Sequence, residues 1–531
     1  MSTSSPNGRR PRCARIAALA ALGCLTFFFT ACGGGGMPTS GTSRGFGAAE
    51  PHEDFDKLQQ EQYGALVENP FQSPRTAQLS TFSADVNTAS YSNVRRLLND
   101  GQLPPRDAVF LAELVNYFPY RYPQPTGDDP VSLSLDLSPC PWKPAHKLAR
   151  IGVQARSMAM IPDSELPPRN LVFLIDVSGS MEGPTRLPLV KQSLELLIDR
   201  LHPADRVSIV TYANGTSVRL QPTGGDRKET IRSVVKSLSA SGGTNGEGGI
   251  KLAYELARRA FVEGGANRVI LCTDGDFNVG ASSESDLVQL VERERTSRVF
   301  LTVLGYGMGN LKNQSHEQLA NNGNGHYAYI DSIDEARKVF VEQGGALTCV
   351  AKDVKFQVEF NPSKVAAYRL LGYENRLLKA EDFKNDAKDA GDMGSGHQVT
   401  ALYEIVPAGV KIDLPGVDPL KYQTAAKPAG GTDEWLTVKM RYKHPESDTS
   451  KELVRAMPGS LGAGEMASDF RFAAAVAEFG LCLRDSPYKG NATLADALDR
   501  AERSLTPDPN GHRTEFVKLV RKAMSASTRK E

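Results

Sequence analysis

The sequence has no surplus of either charge: 62 Lys and Arg stand against 62 Asp and Glu. Nucleic-acid binders ordinarily carry a basic excess, so this balance argues against that class. Cysteine is scarce. Beyond Cys13, Cys24 and Cys32, the remaining Cys140, Cys272, Cys349 and Cys482 are scattered at spacings that fit no zinc motif. An oxidising compartment would permit a disulfide among them without requiring one. The eight histidines are equally dispersed. No Gly-x-Ser-x-Gly elbow stands between a strand and a helix, and no phosphate-binding loop or His-Glu-x-x-His pattern occurs, which leaves a hydrolase as a minor reading. The apolar run at 16–30 is too short to span a bilayer.

The residues that are present make a chain too long for one core, with ordinary globular proportions of 40% hydrophobic and 23% charged residues. Residues 170–181 read NLVFLIDVSGSM. The apolar part predicts a strand buried on both faces of a parallel sheet. It ends at Asp176, followed by Ser178 and Ser180 at alternate positions, with Gly179 and Gly183 allowing a tight turn. Ligand sites of open α/β sheets lie at that carboxyl edge, and hard oxygen ligands suit a small divalent cation. Two later stretches supply more of the same chemistry. Thr244 stands in the Gly-rich loop Ser241–Gly246 before a helical pattern, and a second buried-strand run at 269–273 ends at Asp274.

The order Asp-x-Ser-x-Ser, then Thr, then Asp resembles the metal-ion-dependent adhesion site of von Willebrand factor type A domains. The resemblance implies that Asp176, Ser178, Ser180, Thr244 and Asp274 hold Mg²⁺, with Mn²⁺ or Ca²⁺ as alternatives. It also implies that an Asp or Glu of a protein partner completes the metal's ligand set. The bland reading, in which the acids cap helices and the hydroxyls satisfy loop backbone, would not call for all five in this order. Asn245, Asp276 and Asn278 are candidate ligand-contact residues beside the site.

The N-terminal segment reads as an export signal. Arg9, Arg10, Arg12 and Arg15 precede the short apolar run, which ends Phe29-Thr30-Ala31-Cys32. This resembles a bacterial lipoprotein signal, with Cys32 as the lipid-bearing residue; Cys24, after Leu22-Gly23, is the competing site. The implied location is the cell envelope, lipid-anchored. Gly33 lacks the acid that retains such proteins at an inner membrane, which points to the outer membrane where there is one.

The rest of the chain divides by period. Residues 1–31 are the signal peptide and 32–76 a flexible tether. Residues 77–125 form an N-terminal helical extension, with an extended piece beginning at 80–83 and helices expected at 88–99 and 106–118. Strand alternation at 126–168 and again at 346–445 predicts a flanking β-sandwich. Between them, 169–345 alternates strand and helix, which predicts a Rossmann-like α/β fold: a mostly parallel sheet of about six strands with helices on both faces. Its ends should lie close together, so that it is inserted in the sandwich. Residues 446–531 form a C-terminal helical region, led by an amphipathic helix at 469–483. The polar stretch 379–396 reads as a surface loop, Trp142 as an anchor of the first strand pair, and Asp85 and Asn87 as turn or cap residues. The stretches 79–122 and 470–489 are similar to the extensions of one group of bacterial type A-domain lipoproteins. Two other readings stay open: a structural envelope protein whose metal only stabilises the loop, and the hydrolase.

Overall fold

The computed structural model describes residues 65–158, 166–275, 284–307, 313–386, 388, 390–414, 432–461 and 465–529. Cys32, Asp276 and Asn278 lie outside the described residues. The chain opens with β1 (Leu79–Ser83), α1 (Ala89–Asn99), the short α2 (Leu111–Asn116), β2 (Val131–Pro139) and β3 (Lys147–Ala155). An α/β unit follows: β4 (Arg169–Asp176), α3 (Leu187–Ile198), β5 (Arg206–Tyr212), β6 (Thr216–Gly224), α4 (Lys228–Ser237), α5 (Gly246–Arg259) and β7 (Ala266–Thr273). It closes with α6 (Glu284–Arg295), β8 (Phe300–Tyr306), α7 (Asn313–Asn322), β9 (Tyr327–Ile330) and α8 (Ile333–Arg337), which runs on into a π-helical turn at Lys338–Glu342. Strands then return as β10 (Cys349–Phe360), β11 (Val365–Leu371), β12 (Leu377–Leu378), β13 (Gly391–Gly394), β14 (Gln398–Pro407), β15 (Glu434–Lys443) and β16 (Ser450–Pro458). Three helices end the chain: α9 (Ser468–Arg484), α10 (Leu494–Glu502) and α11 (His512–Ser527).

The α/β sheet has the order β6-β5-β4-β7-β8-β9. The five strands from β5 to β9 pair in parallel, and β6 is an antiparallel edge. The uninterrupted apolar run of β4 is explained by two covered faces. Leu171, Phe173 and Ile175 pack with α3 and α4 on one face; Val172 and Leu174 pack with α5 on the other. Cys272 is buried inside β7, as its apolar neighbours suggest.

The flanking strands form a two-sheet sandwich. One sheet runs β12-β1-β10-β15-β16 with β13 also on β10, and the other runs β11-β14-β3-β2. The pairing of β3 with β14, Val153 opposite Val399, joins segments on either side of the α/β unit. That unit is therefore inserted in the sandwich. Its two chain crossings are stitched to one short segment. Ser395 N–H donates to Thr348 O at 2.8 Å, Gly396 N–H donates to Arg156 O at 3.0 Å, and Met158 N–H donates to Ser395 Oγ at 2.7 Å.

Several elements differ from the sequence reading. The sandwich draws β1 from the N-terminal extension and β16 from the C-terminal region, so 77–125 and 446–531 are not wholly helical. The expected helix at 106–118 breaks before α2. The hydroxyl of Ser90, on α1, donates to Ala108 O at 2.7 Å and accepts from Phe110 N–H at 2.9 Å, replacing the local helical bonds. The stretch 379–396 is not a plain surface loop, because β13 pairs with β10 and Met393 is buried. Helix α9 is buried nearly all round rather than amphipathic, with Asp469 and Glu478 enclosed as ion pairs with Arg513 and Arg500. Trp142 lies between β2 and β3 but packs into the helical core, its Nε1–H donating to Glu404 at 3.2 Å. Asp85 pairs with Arg376, and Asn87 Oδ1 accepts the N–H of Tyr327 on the sheet edge strand β9; neither caps α1.

Candidate metal centre

β4 and β7 lie side by side and parallel, Ile175 opposite Cys272. Asp176, the last residue of β4, and Asp274, the first after β7, therefore leave the sheet at one edge. Both carboxylates are buried, Asp176 at 0% and Asp274 at 5% exposure. The first loop folds back on Asp176: Ser178 N–H donates to its Oδ1 at 2.8 Å, and Ser178 Oγ lies 3.0 Å from Ser180 Oγ. The Gly-rich loop is fastened to the first. Gly179 N–H donates to Gly242 O at 2.9 Å and Ser241 N–H donates to Val177 O at 2.7 Å. Gly242 adopts φ +83°, a conformation that glycine alone enters cheaply. This fastening carries Thr244, half exposed, to the edge occupied by the two serines. Asp176, Ser178 and Ser180 are thus linked by hydrogen bonds at the end of β4, Thr244 stands on the loop fastened to theirs, and Asp274 follows the adjacent strand.

Burial pushes the carboxyl of Asp176 up to about 6; the Ser178 bonds oppose this and the charge of Asp274 adds to it. Asp176 Oδ2 and Asp274 Oδ1 are buried without a well-formed hydrogen bond, and the Tyr212 hydroxyl beside Asp176 lowers the pKa of its carboxyl. Two buried carboxylates with such oxygens, facing hydroxyls, form a donor set suited to a hard cation. Among the described residues there is no cluster of three or more His, Cys, Asp or Glu side chains placed to hold a metal. The centre is instead a two-carboxylate, hydroxyl-rich site, and the donor chemistry fits Mg²⁺.

Sequence reasoning missed one neighbour. Arg186 N–H donates to Ser180 O, and its guanidinium lies 3.4 Å from Asp274 Oδ2. No motif marks it; the turn before α3 brings it there. Asn245, expected as a ligand contact, caps α5 through its Oδ1, which accepts Gly248 N–H at 3.3 Å.

A model described as von Willebrand factor type A domain matches residues 170–342. One described as the C-terminal part of the uncharacterized protein YfbK matches 345–526, and one described as von Willebrand factor matches 57–150. The chain is 40% identical over 468 residues to the uncharacterized protein YfbK of Escherichia coli strain K12, covering 86% of this chain and 80% of that one. The chain belongs to the YfbK family of type A-domain proteins. It is also 30% identical over 148 residues to human inter-alpha-trypsin inhibitor heavy chain H4, covering 26% of this chain and 16% of that protein. Among solved structures, a von Willebrand factor type A protein from Catenulispora acidiphila matches with a TM-score of 0.40 at 16% identity, over 74% of this chain and 89% of that one. The YfbK-family C-terminal match begins at Gly345, beside the chain's return crossing into the sandwich.

Proposed function

We propose that the protein is a lipid-anchored envelope protein that binds a protein partner through its metal centre. Type A domains are protein-interaction modules, often metal-dependent, and the type A match covers the whole α/β unit. The observation that carries the finer reading is the pair of buried oxygens without a well-formed hydrogen bond, Asp176 Oδ2 and Asp274 Oδ1, set among Ser178, Ser180 and Thr244. These residues would hold the ion. A divalent cation bound there supplies an open coordination position to an Asp or Glu of the partner. The two carboxylates leave the ion's charge incompletely satisfied once the neutral hydroxyls have joined them, so it stays attractive to a third carboxylate. Ser178 and Ser180 act in this reading as ligands and not as nucleophiles, and the site binds without turnover. Cys32 would carry the lipid, and the part of the expected 32–76 tether before residue 65 would set the domain off the membrane. Residues 65–76 are not free tether, because the Asn69 side-chain amide donates to Leu370 O at 3.1 Å and Gly372 O at 2.8 Å and Gln72 pairs with Tyr368.

Calorimetry of the soluble protein with Mg²⁺ and Mn²⁺, wild type against Asp274→Ala, tests the centre; equal affinity in both would sink it. Crosslinking in intact cells with and without Mg²⁺ tests the partner. Metal binding lost with partner capture unchanged would favour a purely stabilising metal.

A further inference from the structure

At the opposite, amino edge of the α/β sheet a cleft of about 860 Å³ opens between the inserted unit and its host. That volume is in the range of small-molecule sites. The unit contributes the starts of β4 and β9 and the π-helical turn; the sandwich contributes the 395–398 segment; the N-terminal helical region contributes Tyr117 and Phe118. Apolar walls come from Met158, Leu201 and Phe340.

The polar lining is unevenly satisfied. Its acids already have partners: Asp205 holds Arg169 at 2.5 Å, Asp199 holds Arg232 at 2.8 Å, and Glu342 holds His512 at 2.8 Å. Two of its nitrogens do not. Lys338, 2% exposed, lays its Nζ 2.8 Å from the centre of the Tyr117 ring and finds no hydrogen-bond acceptor. Glu335 lies near it and attracts its charge; Glu335 Oε2 is taken by Arg95 and by the Tyr117 hydroxyl, while Oε1 is buried without a donor and makes no hydrogen bond to Lys338. His397 Nδ1 is buried without a partner, and its ring meets that of His326 edge-on at 5.7 Å. A buried ammonium and a buried imidazole without acceptors are costly unless something else supplies the acceptor.

We propose that this cleft binds a small organic carboxylate, its anionic end taken by Lys338 and the His326–His397 pair and its body by the apolar walls. Lys338 and a neutral imidazole pair offer point donors, the Arg169 guanidinium at the cleft is already held by Asp205, and part of the wall is apolar; these features favour a carboxylate over a phosphate. Burial lowers the Lys338 ammonium to about 7, so a bound anion would restore its charge. The site is separate from the metal centre, which lies at the other edge of the same sheet.

The test is calorimetry and thermal shift on the full chain with hexanoate, set against hexanol and inorganic phosphate. Hexanoate should bind and raise Tm, and hexanol should not. Lys338→Met and His397→Leu should each weaken hexanoate at least about tenfold, a loss of about 1.4 kcal/mol, while Asp274→Ala should leave it unchanged. Circular dichroism confirms that the variants are folded; should Lys338→Met fail to fold, His397→Leu decides alone. The proposal is overturned if hexanoate gives no heat and no shift, if it binds both variants as tightly as wild type, or if hexanol or phosphate binds at least as tightly. Retention in Asp274→Ala separates failure here from failure of the metal reading.

Discussion

Arg95 on α1 and Glu335 on α8 form a buried ion pair at 2.8 Å, their side chains 3% and 1% exposed. Arg95 also pairs with Asp331 at the end of β9 and reaches Glu515 on α11 at 3.3 Å. One guanidinium thus binds the N-terminal extension, the inserted unit and the C-terminal helices together. Tyr117 and the neighbouring acids Glu335 and Asp331 raise its basicity despite burial. Arg95→Met should remove the shared cation and leave buried carboxylates uncompensated, costing about 3–5 kcal/mol. Urea unfolding of wild type and variant measures this; a change below about 1 kcal/mol would mean that the network contributes little.

Asp274→Ala should abolish Mg²⁺ binding while the fold persists. The residue follows β7 at the rim of the sheet, and its removal relieves repulsion with Asp176. Circular dichroism should be unchanged while calorimetric heat disappears.

Arg186→Ala should act in the opposite direction. The guanidinium neutralises Asp274 at 3.4 Å and so competes with a cation for the same charge. Mg²⁺ affinity should rise by up to about tenfold, equivalent to about 1.4 kcal/mol. A fall in affinity would instead make Arg186 a support of the loop, through its bond to Ser180 O.

Acid should loosen the joint between insert and host. Burial lowers His397 to about 4, and burial, His397 and Arg268 hold His326 well below its ordinary value. In the unfolded chain both imidazoles titrate near about 6.5 and so take up protons first. Stability from their neutral forms is therefore full above about 6.5 and is lost as pH falls towards about 4. Tm should drop across that window, and His397→Leu should flatten the drop. An unchanged slope in the variant would assign the acid sensitivity elsewhere.

Cys32→Ser should prevent lipid attachment, and the protein should move from the detergent phase to the aqueous phase on phase separation. Unaltered membrane retention would remove the anchor from the proposal.

What the sequence made legible was what local pattern controls. The apolar run of β4 required cover on both faces, and the alternation of Leu171 with Val172 into separate cores follows from the strand's period of two. The five site residues were legible because each ends a strand or precedes a helix in a recognisable order. What was hidden depends on distant partners. The break before α2 is made by Ser90, on another helix. Strand β16 is an edge strand, exposed along most of its length, so its side chains show no clean alternation. The burial of α9 depends on helices from both ends of the chain packing around it. Arg186 joins the centre through a turn that carries no motif.

The stitching of both crossings to Ser395 and Gly396 has a consequence for modularity. Thr348 O and Arg156 O are held by consecutive backbone N–H groups, so the two cut points of the host are already neighbours. A graft at these points would have little distance to bridge. The host can therefore be respliced with a short linker, or carry a foreign domain whose own termini are adjacent, without lengthening any of its strands.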